Sequence, residues 1–370
     1  MKRRWTEEEI WKWYREREWI SGFNFVPSTS RGGMHYVLQE YGHEEAFCNA
    51  AKEIALAASM GLNSVRAVLP FYLWRKQHDS FFKHFDEFLA LLDLYGMTMM
   101  PVLFDDCTPP EKQYKEPVLG PQPEPVPGYF GGTPSNSFDI DTQTGGNIGY
   151  HIIDEPGMEE VVSRYIKEMA ERYGKDKRII IWNVWNEMGN SSRDHKSMAM
   201  MKNVFKWLRE ADVEQPLTAE MWGAQIEGGY YSWLNNPHIF GDIDRTCIEL
   251  SDILSFHYYG DYKHSKKLIE YLKQFHRPMI NSEWMHRPLG SYMETHLPLW
   301  KREKIGSYFF GFVNGKPQMH VVWDFIKGME SVDQSLWMHD LFHSDFTPYD
   351  QEELEVLQQC NKDKNIWDKK

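Results

Sequence analysis

Short apolar runs rich in β-branched residues alternate along this chain with longer stretches whose apolar positions recur every three or four residues. A run of the first kind reads as a buried strand and a stretch of the second as an amphipathic helix, so the alternation predicts a parallel sheet wrapped by helices. The strands fall at residues 22–26, 64–69, 97–104, 179–183, 217–220, 253–257, 278–282 and 305–313. Eight such units within 370 residues predict an α/β fold, a (β/α)8 TIM barrel forming a single domain over residues 1–370, with residues 1–20 as an N-terminal helix.

The clearest helical patterns lie at 46–60, 81–94, 158–173 and 198–211, each with one apolar stripe to lay on the barrel. Gly61, Gly96 and Gly174 follow helical patterns at the position where a left-handed stop is expected. The connection after the third strand breaks the rhythm: residues 105–157 are rich in Pro and Gly and carry no periodicity. A long loop there belongs to the C-terminal face of a barrel, where active sites sit, so Tyr114, Tyr129, Phe130 and Tyr150 are expected either to line substrate subsites or to pack on the surface.

Hydrophobic residues at 42% and charged residues at 26% describe a globular chain with a sizeable core. A net charge of -13 with no local basic patch argues against a nucleic-acid partner. No stretch approaches the ~18 apolar residues of a membrane span. Glu, Lys and Arg crowd the segment from Trp5 to Glu18, where a secretory signal needs an apolar run, and Cys48, Cys107, Cys247 and Cys360 form no paired spacing. A cytoplasmic protein is the expectation. The 15 Trp residues serve either an aromatic core or a groove that stacks on sugar rings.

Two carboxylates stand out. In the segment IIIWNVWNEMGN, a buried strand runs into Trp185, Asn186 and Glu187, where turn residues would be ordinary. In RPMINSEWMHRP, an apolar strand ends at Ser282, Glu283 and Trp284. Hydrolysis of a glycosidic bond with retention needs two carboxyl groups ~5 to 5.5 Å apart, and the carboxyl ends of strands four and seven of one barrel face the same site. Glu187 and Glu283 are therefore the catalytic pair expected, with a buried salt bridge as the bland alternative for Glu283.

The chain resembles the clan A (4/7 superfamily) retaining glycoside hydrolases, in particular their cellulase-like and endo-mannosidase-like members. The likeness runs through GFNFVPST, NSVRAVLPF, PVLFDDC, IWNVWNE, PLTAEMWG, SFHYYG, NSEWMHRP and LWMHDLFHSDFTPYD. It implies that Glu187 is the general acid/base, that Asn186 binds the sugar 2-hydroxyl, that Glu283 is the nucleophile, and that Arg66 keeps Glu283 ionised. It also implies that His257 or Tyr259 orients Glu283. Such relatives place a Trp on strand eight as the floor of the sugar subsite, whereas this chain has Phe310 in SYFFGFVNG, and Trp323 is the expected substitute.

Beside these, Asn24, Trp185, Trp222 and Trp284 lie at strand ends where they would bind or support a sugar. Asp105, Asp106, Glu220 and Asp261 sit there too, as sugar ligands or as solvated loop residues. His35, His43 and His151 receive no role. The expected substrate is a carbohydrate, hydrolysed by double displacement through a covalent glycosyl-enzyme intermediate, with no cofactor and no metal. Two rival readings are a metal-dependent barrel hydrolase, against which the lack of HxH and HExxH spacing speaks, and a carbohydrate-binding barrel without catalysis. Activity that survives exhaustive chelation removes the first.

Overall fold

The computed structural model describes residues 3–110, 119–132, 148–224, 229–330 and 332–367. Eight parallel strands close into a barrel in sequence order: β1 (Ser21–Asn24), β2 (Ser64–Val68), β3 (Thr98–Val102), β4 (Trp182–Trp185), β5 (Leu217–Met221), β6 (Leu254–His257), β7 (Met279–Trp284) and β8 (Gly306–Phe310). The eight-stranded TIM barrel expected from the alternation is present. Its strands are mostly shorter than the apolar runs, because a run continues into the buried approach to the strand. The fourth shifts forward to Trp182–Trp185, and the seventh extends through Glu283 and Trp284.

Ahead of the barrel lies α1 (Glu7–Arg15). The outer ring is α2 (His43–Ser59), α3 (His78–Leu94), α4 (Met158–Tyr173), α5 (Met198–Glu210), α6 (Asp242–Leu250), α7 (Tyr262–Leu272), α8 (Met293–Arg302) and α9 (Gln351–Asn361). Their apolar stripes and the outward side chains of the strands form the main core. A second cluster fills the barrel's N-terminal end: Ile20, Met100, Ile181, Ile253, Ile280 and Tyr308 meet Ile10, Trp13 and Tyr14 of α1. The first helix therefore stoppers that end. A capping box at Thr6, whose side chain accepts from Glu9 N while Glu9 caps Thr6 N, fixes where it begins. Gly22 on β1 admits this packing, since a Cβ there would lie 2.6 Å from the Tyr308 ring.

Gly61 and Gly96 end helices in the left-handed region, at φ 78° and 65°. Gly174 does not: it is right-handed at φ -63°. It is glycine for space, because a Cβ would stand 2.4 Å from Ala170 O. None of the four cysteines is in a disulfide. Among the described residues no helix is long and apolar enough to cross a membrane.

Candidate active site

At the carboxyl ends of the strands lies a cavity of about 170 Å³. Arg66 on β2 forms its floor, and each N–H of its guanidinium has an acceptor. Nε donates to Asn183 Oδ1 at 2.9 Å; Nη1 donates to Asn24 Oδ1 and Glu283 Oε1, both at 2.7 Å; Nη2 donates to Asn186 Oδ1 at 2.5 Å and Glu220 Oε1 at 3.1 Å. A buried guanidinium held on five sides fixes the side chains of β1, β2, β4, β5 and β7 relative to one another.

Glu283 receives Arg66 on one oxygen and the Tyr259 hydroxyl, at 2.7 Å, on the other. Burial and the neighbouring carboxylate push the Tyr259 phenol well above its ordinary range, so it stays a donor. Both oxygens of Glu283 thus face hydrogen-bond donors.

Glu187 is held differently. Its backbone is left-handed at φ 42°, a conformation costly for a side chain with a Cβ and characteristic of functional sites. Asn190 Nδ2 donates to its Oε2 at 2.5 Å, and His257 Nδ1 lies 2.7 Å from its Oε1. Burial raises the Glu187 pKa to about 7, against the opposing hydrogen bond from Asn190 and the charge of Arg66. Burial also lowers His257 to about 4, leaving that imidazole neutral.

The imidazole stands between the two glutamates, with its Nδ1 3.6 Å from Glu283 Oε2. One atom from each of Glu187, His257 and Glu283 lies within 4.8 Å of the others. The same trio has the donor set of a metal site, but the Arg66 guanidinium already supplies the cation that Glu283 faces.

Asp105 lines the cavity, and its Oδ1 accepts from Asn186 Nδ2 at 2.7 Å and from Cys107 N at 2.8 Å. Burial raises its pKa to about 8. Asn186 is therefore gripped at both ends, by Arg66 and Asp105, with one amide hydrogen left for the cavity.

The family model for cellulase, glycosyl hydrolase family 5, matches residues 138–338 of the chain. The chain belongs to glycosyl hydrolase family 5. No curated protein matches this family 5 hydrolase in sequence. Among solved structures it is similar to the endo-β-1,4-glucanase Xac0029 of Xanthomonas axonopodis pv. citri, at 10% identity and TM-score 0.54 over 94% of this chain and 99% of that one. It is also similar to an apo β-glucosidase, at 10% identity and TM-score 0.52 over 93% and 98% of the two chains. At these identities the likeness is one of fold.

Within this family 5 hydrolase, the residues singled out from sequence divide into two groups. Asn24, Arg66, Asp105, Asn186, Glu187, Tyr259, Glu283, Trp222 and Trp323 all line the cavity. His257 lies immediately behind them. It is nearer to Glu187 than to Glu283, so orienting Glu283 falls to Tyr259.

The others are corrections. Trp185 is fully buried and stacks on Phe104, with ring centroids 4.9 Å apart. Trp284 is fully buried among His296, Trp300 and Phe309, its Nε1 donating to Ser307 Oγ. Neither can touch a sugar. Asp106 is buried against Arg193, Ser197 and Gly189 N, where it braces the loop after β4. Glu220 is buried beneath Arg66. Asp261 is no correction: it is the exposed loop residue offered as its alternative, and it caps the first turn of α7 through His264 N.

In the loop after β3, Tyr129 and Phe130 line the cavity, and Tyr150 instead donates to Glu155. Tyr114 lies outside the described residues. Phe310 and Trp323 both contribute to the cavity wall, Trp323 edge-on to Tyr259 at 5.2 Å and 87°.

Sequence reasoning missed Phe25, Val26, Val68 and Cys107 in the wall, and Asn190 as the partner of Glu187. A signal existed for Asn190, three residues after Glu187 in NEMGN. The apolar wall residues carry no signal that separates them from core.

Proposed function

We propose that this family 5 hydrolase cleaves a β-glycoside with retention, Glu283 attacking the anomeric carbon while Glu187 protonates the departing oxygen. The observation that carries the reading is the spacing of the pair: one carboxyl oxygen of each glutamate lies, with His257, inside 4.8 Å, which fits the ~5 to 5.5 Å of retaining enzymes and falls short of the ~6.5 to 9.5 Å of inverting ones. Their surroundings differ in the sense that the two roles require. Glu283 faces two donors and suits a nucleophile, and Glu187, raised to about 7, holds a proton to give.

In the second step the leaving group has gone and Glu187, now a carboxylate, draws a proton from water that attacks the glycosyl ester of Glu283. The free amide hydrogen of Asn186 is placed for a sugar hydroxyl, and Phe310 with Trp323 supplies the aromatic wall against the ring. The β configuration is taken from the similar structures, an endo-β-1,4-glucanase and a β-glucosidase.

Glu283→Ala is expected to abolish turnover of aryl β-glycosides, and added azide should then yield a glycosyl azide of inverted configuration. Glu187→Ala should lose ~10² to 10⁴-fold on substrates with poor leaving groups and much less on 2,4-dinitrophenyl glycosides, which need no acid. Full activity in Glu283→Ala, or an equal loss on all leaving groups in Glu187→Ala, would sink the assignment.

A further inference from the structure

The loop after β3 does not stay beside β3. Its residues 119–132 are fastened to the loops that follow β1 and β8. Gln122 bridges Thr29 O and Arg31 N; Gln318 bridges Val126 O and Gly128 N; Gly131 N donates to Pro317 O at 2.7 Å. At the end of this strap Phe130 and Gly131 are both left-handed, at φ 55° and 69°. Gly131 has no room for a Cβ, which would lie 2.8 Å from the Arg31 side chain. The turn drives Tyr129 and Phe130 into the cavity wall beside Phe310 and Trp323.

In a closed ring of eight strands β8 and β1 lie across the barrel from β4 and β5. Glu187 follows β4, and the strap covers the opposite rim. A general acid stands on the side to which the leaving group departs, so the strap covers the side that holds the sugar whose anomeric carbon reacts. On the departing side the described wall is Trp222, partly buried and steadied by its Nε1 bond to Met188 O. The cavity of about 170 Å³ is also below the ~300 to 1,000 Å³ of ordinary ligand pockets.

We infer that the pocket is blind beyond one sugar, and that the enzyme removes single residues from the non-reducing end of its substrate instead of cutting chains internally. A ring seated between Glu283 and the strap has no path for a further sugar on its far hydroxyls. The strap is therefore the specificity-determining element, and Gln122 and Gln318 are the residues that hold it. This deepens the reading of Glu187 as the acid and rests on it.

The test uses cello- and manno-pentaose in two forms, open and closed by a 4,6-O-benzylidene group at the non-reducing end, with the sugar chosen as the one whose 2,4-dinitrophenyl β-glycoside is turned over. The first product from the open form should be the monosaccharide, and the blocked form should resist. Blocked substrate cleaved within about tenfold of the open one, or di- and trisaccharides as first products, overturns the proposal.

Gln122→Ala combined with Gln318→Ala loosens the strap without touching the carboxylates. The blocked-to-open ratio should then rise at least about tenfold, read on protein that still turns over the dinitrophenyl glycoside. An unmoved ratio overturns the strap's role. Labelling by a 2-deoxy-2-fluoroglycosyl fluoride separately tests Glu283: a label elsewhere defeats the catalytic reading, whatever the chain-end result.

Discussion

At the scale of single residues the site works by contrast. Two carboxyl groups a few ångströms apart have unlike surroundings: Glu283 faces Arg66 and Tyr259, and Glu187 faces a neutral imidazole and an amide. An acid with a pKa near 7 sets the alkaline limb: kcat/KM should fall about tenfold per pH unit above ~7 as Glu187 loses its proton. Asn190 donates to the charged form of Glu187 and so lowers that pKa. In Asn190→Ala the alkaline limb should move to higher pH, which a pH-rate profile reads directly; a limb that moves down or stays would remove Asn190 from the site.

Residue identity was legible in the sequence where chemistry is unusual for its place. Glu187 and Glu283 interrupt apolar strands, and Arg66 is a charge inside one. Orientation was not legible, because strand side chains alternate and a single register shift exchanges the faces. Ile280 lies inside the barrel, so strict alternation would turn Ser282 and Trp284 inward and Glu283 away. The shift between Asn281 and Trp284 reverses this, giving Glu283 to the site and Trp284 to the core. A shift between Asn183 and Trp185 does the same on β4, turning Trp185 outward and Asn186 in.

At the scale of elements, the alternation of strand and helix fixed the barrel, and the two ends of that barrel are closed by different means. The mouth carries, at its β1 and β8 rim, a strap held through side-chain amides. The base is stoppered by α1 through hydrophobic contact, and its charged sequence disguised this, because only Ile10, Trp13 and Tyr14 on one face enter the barrel. Ile10 is fully buried there. Ile10→Ala should lower the unfolding free energy by ~2 to 5 kcal/mol through lost burial and a residual cavity, measured by urea denaturation with an unchanged slope. The folded fraction should keep its kcat/KM, since the site lies at the other end; a parallel loss of activity per folded molecule would show that the stopper also shapes the mouth.

The whole molecule buries titratable groups of both kinds. Glu53, Glu187, Asp244 and Asp340 are raised by burial to about 7, and Asp105 to about 8. Each binds its proton more tightly folded than unfolded, so its contribution is complete below its unfolded pKa and is lost as pH rises through 7 to 8. His151 and His339, lowered to about 3, and His257 and His296, lowered to about 4, act in the opposite sense. Their contribution is complete above an unfolded pKa of ~6.5 and is lost as pH falls toward 3. Above ~6.5 the carboxyl effect remains, and His78 and His195, raised by their carboxylate partners, lose their contribution in the same direction. The thermal midpoint should therefore fall between pH 6.5 and 8.5 in calorimetry, and a midpoint that climbs over that interval would contradict the burial of these acids.

A pocket with one opening also imposes an order on events. The first product must clear the mouth before water can reach the glycosyl ester, and the sugar itself must leave last, by the route its partner took. Free monosaccharide then competes with substrate for the same space. Any alcohol resting on Trp222 at the moment of the second step stands where water should, so the direction of the reaction, toward breaking a glycoside or toward making one, is set by what waits at the door.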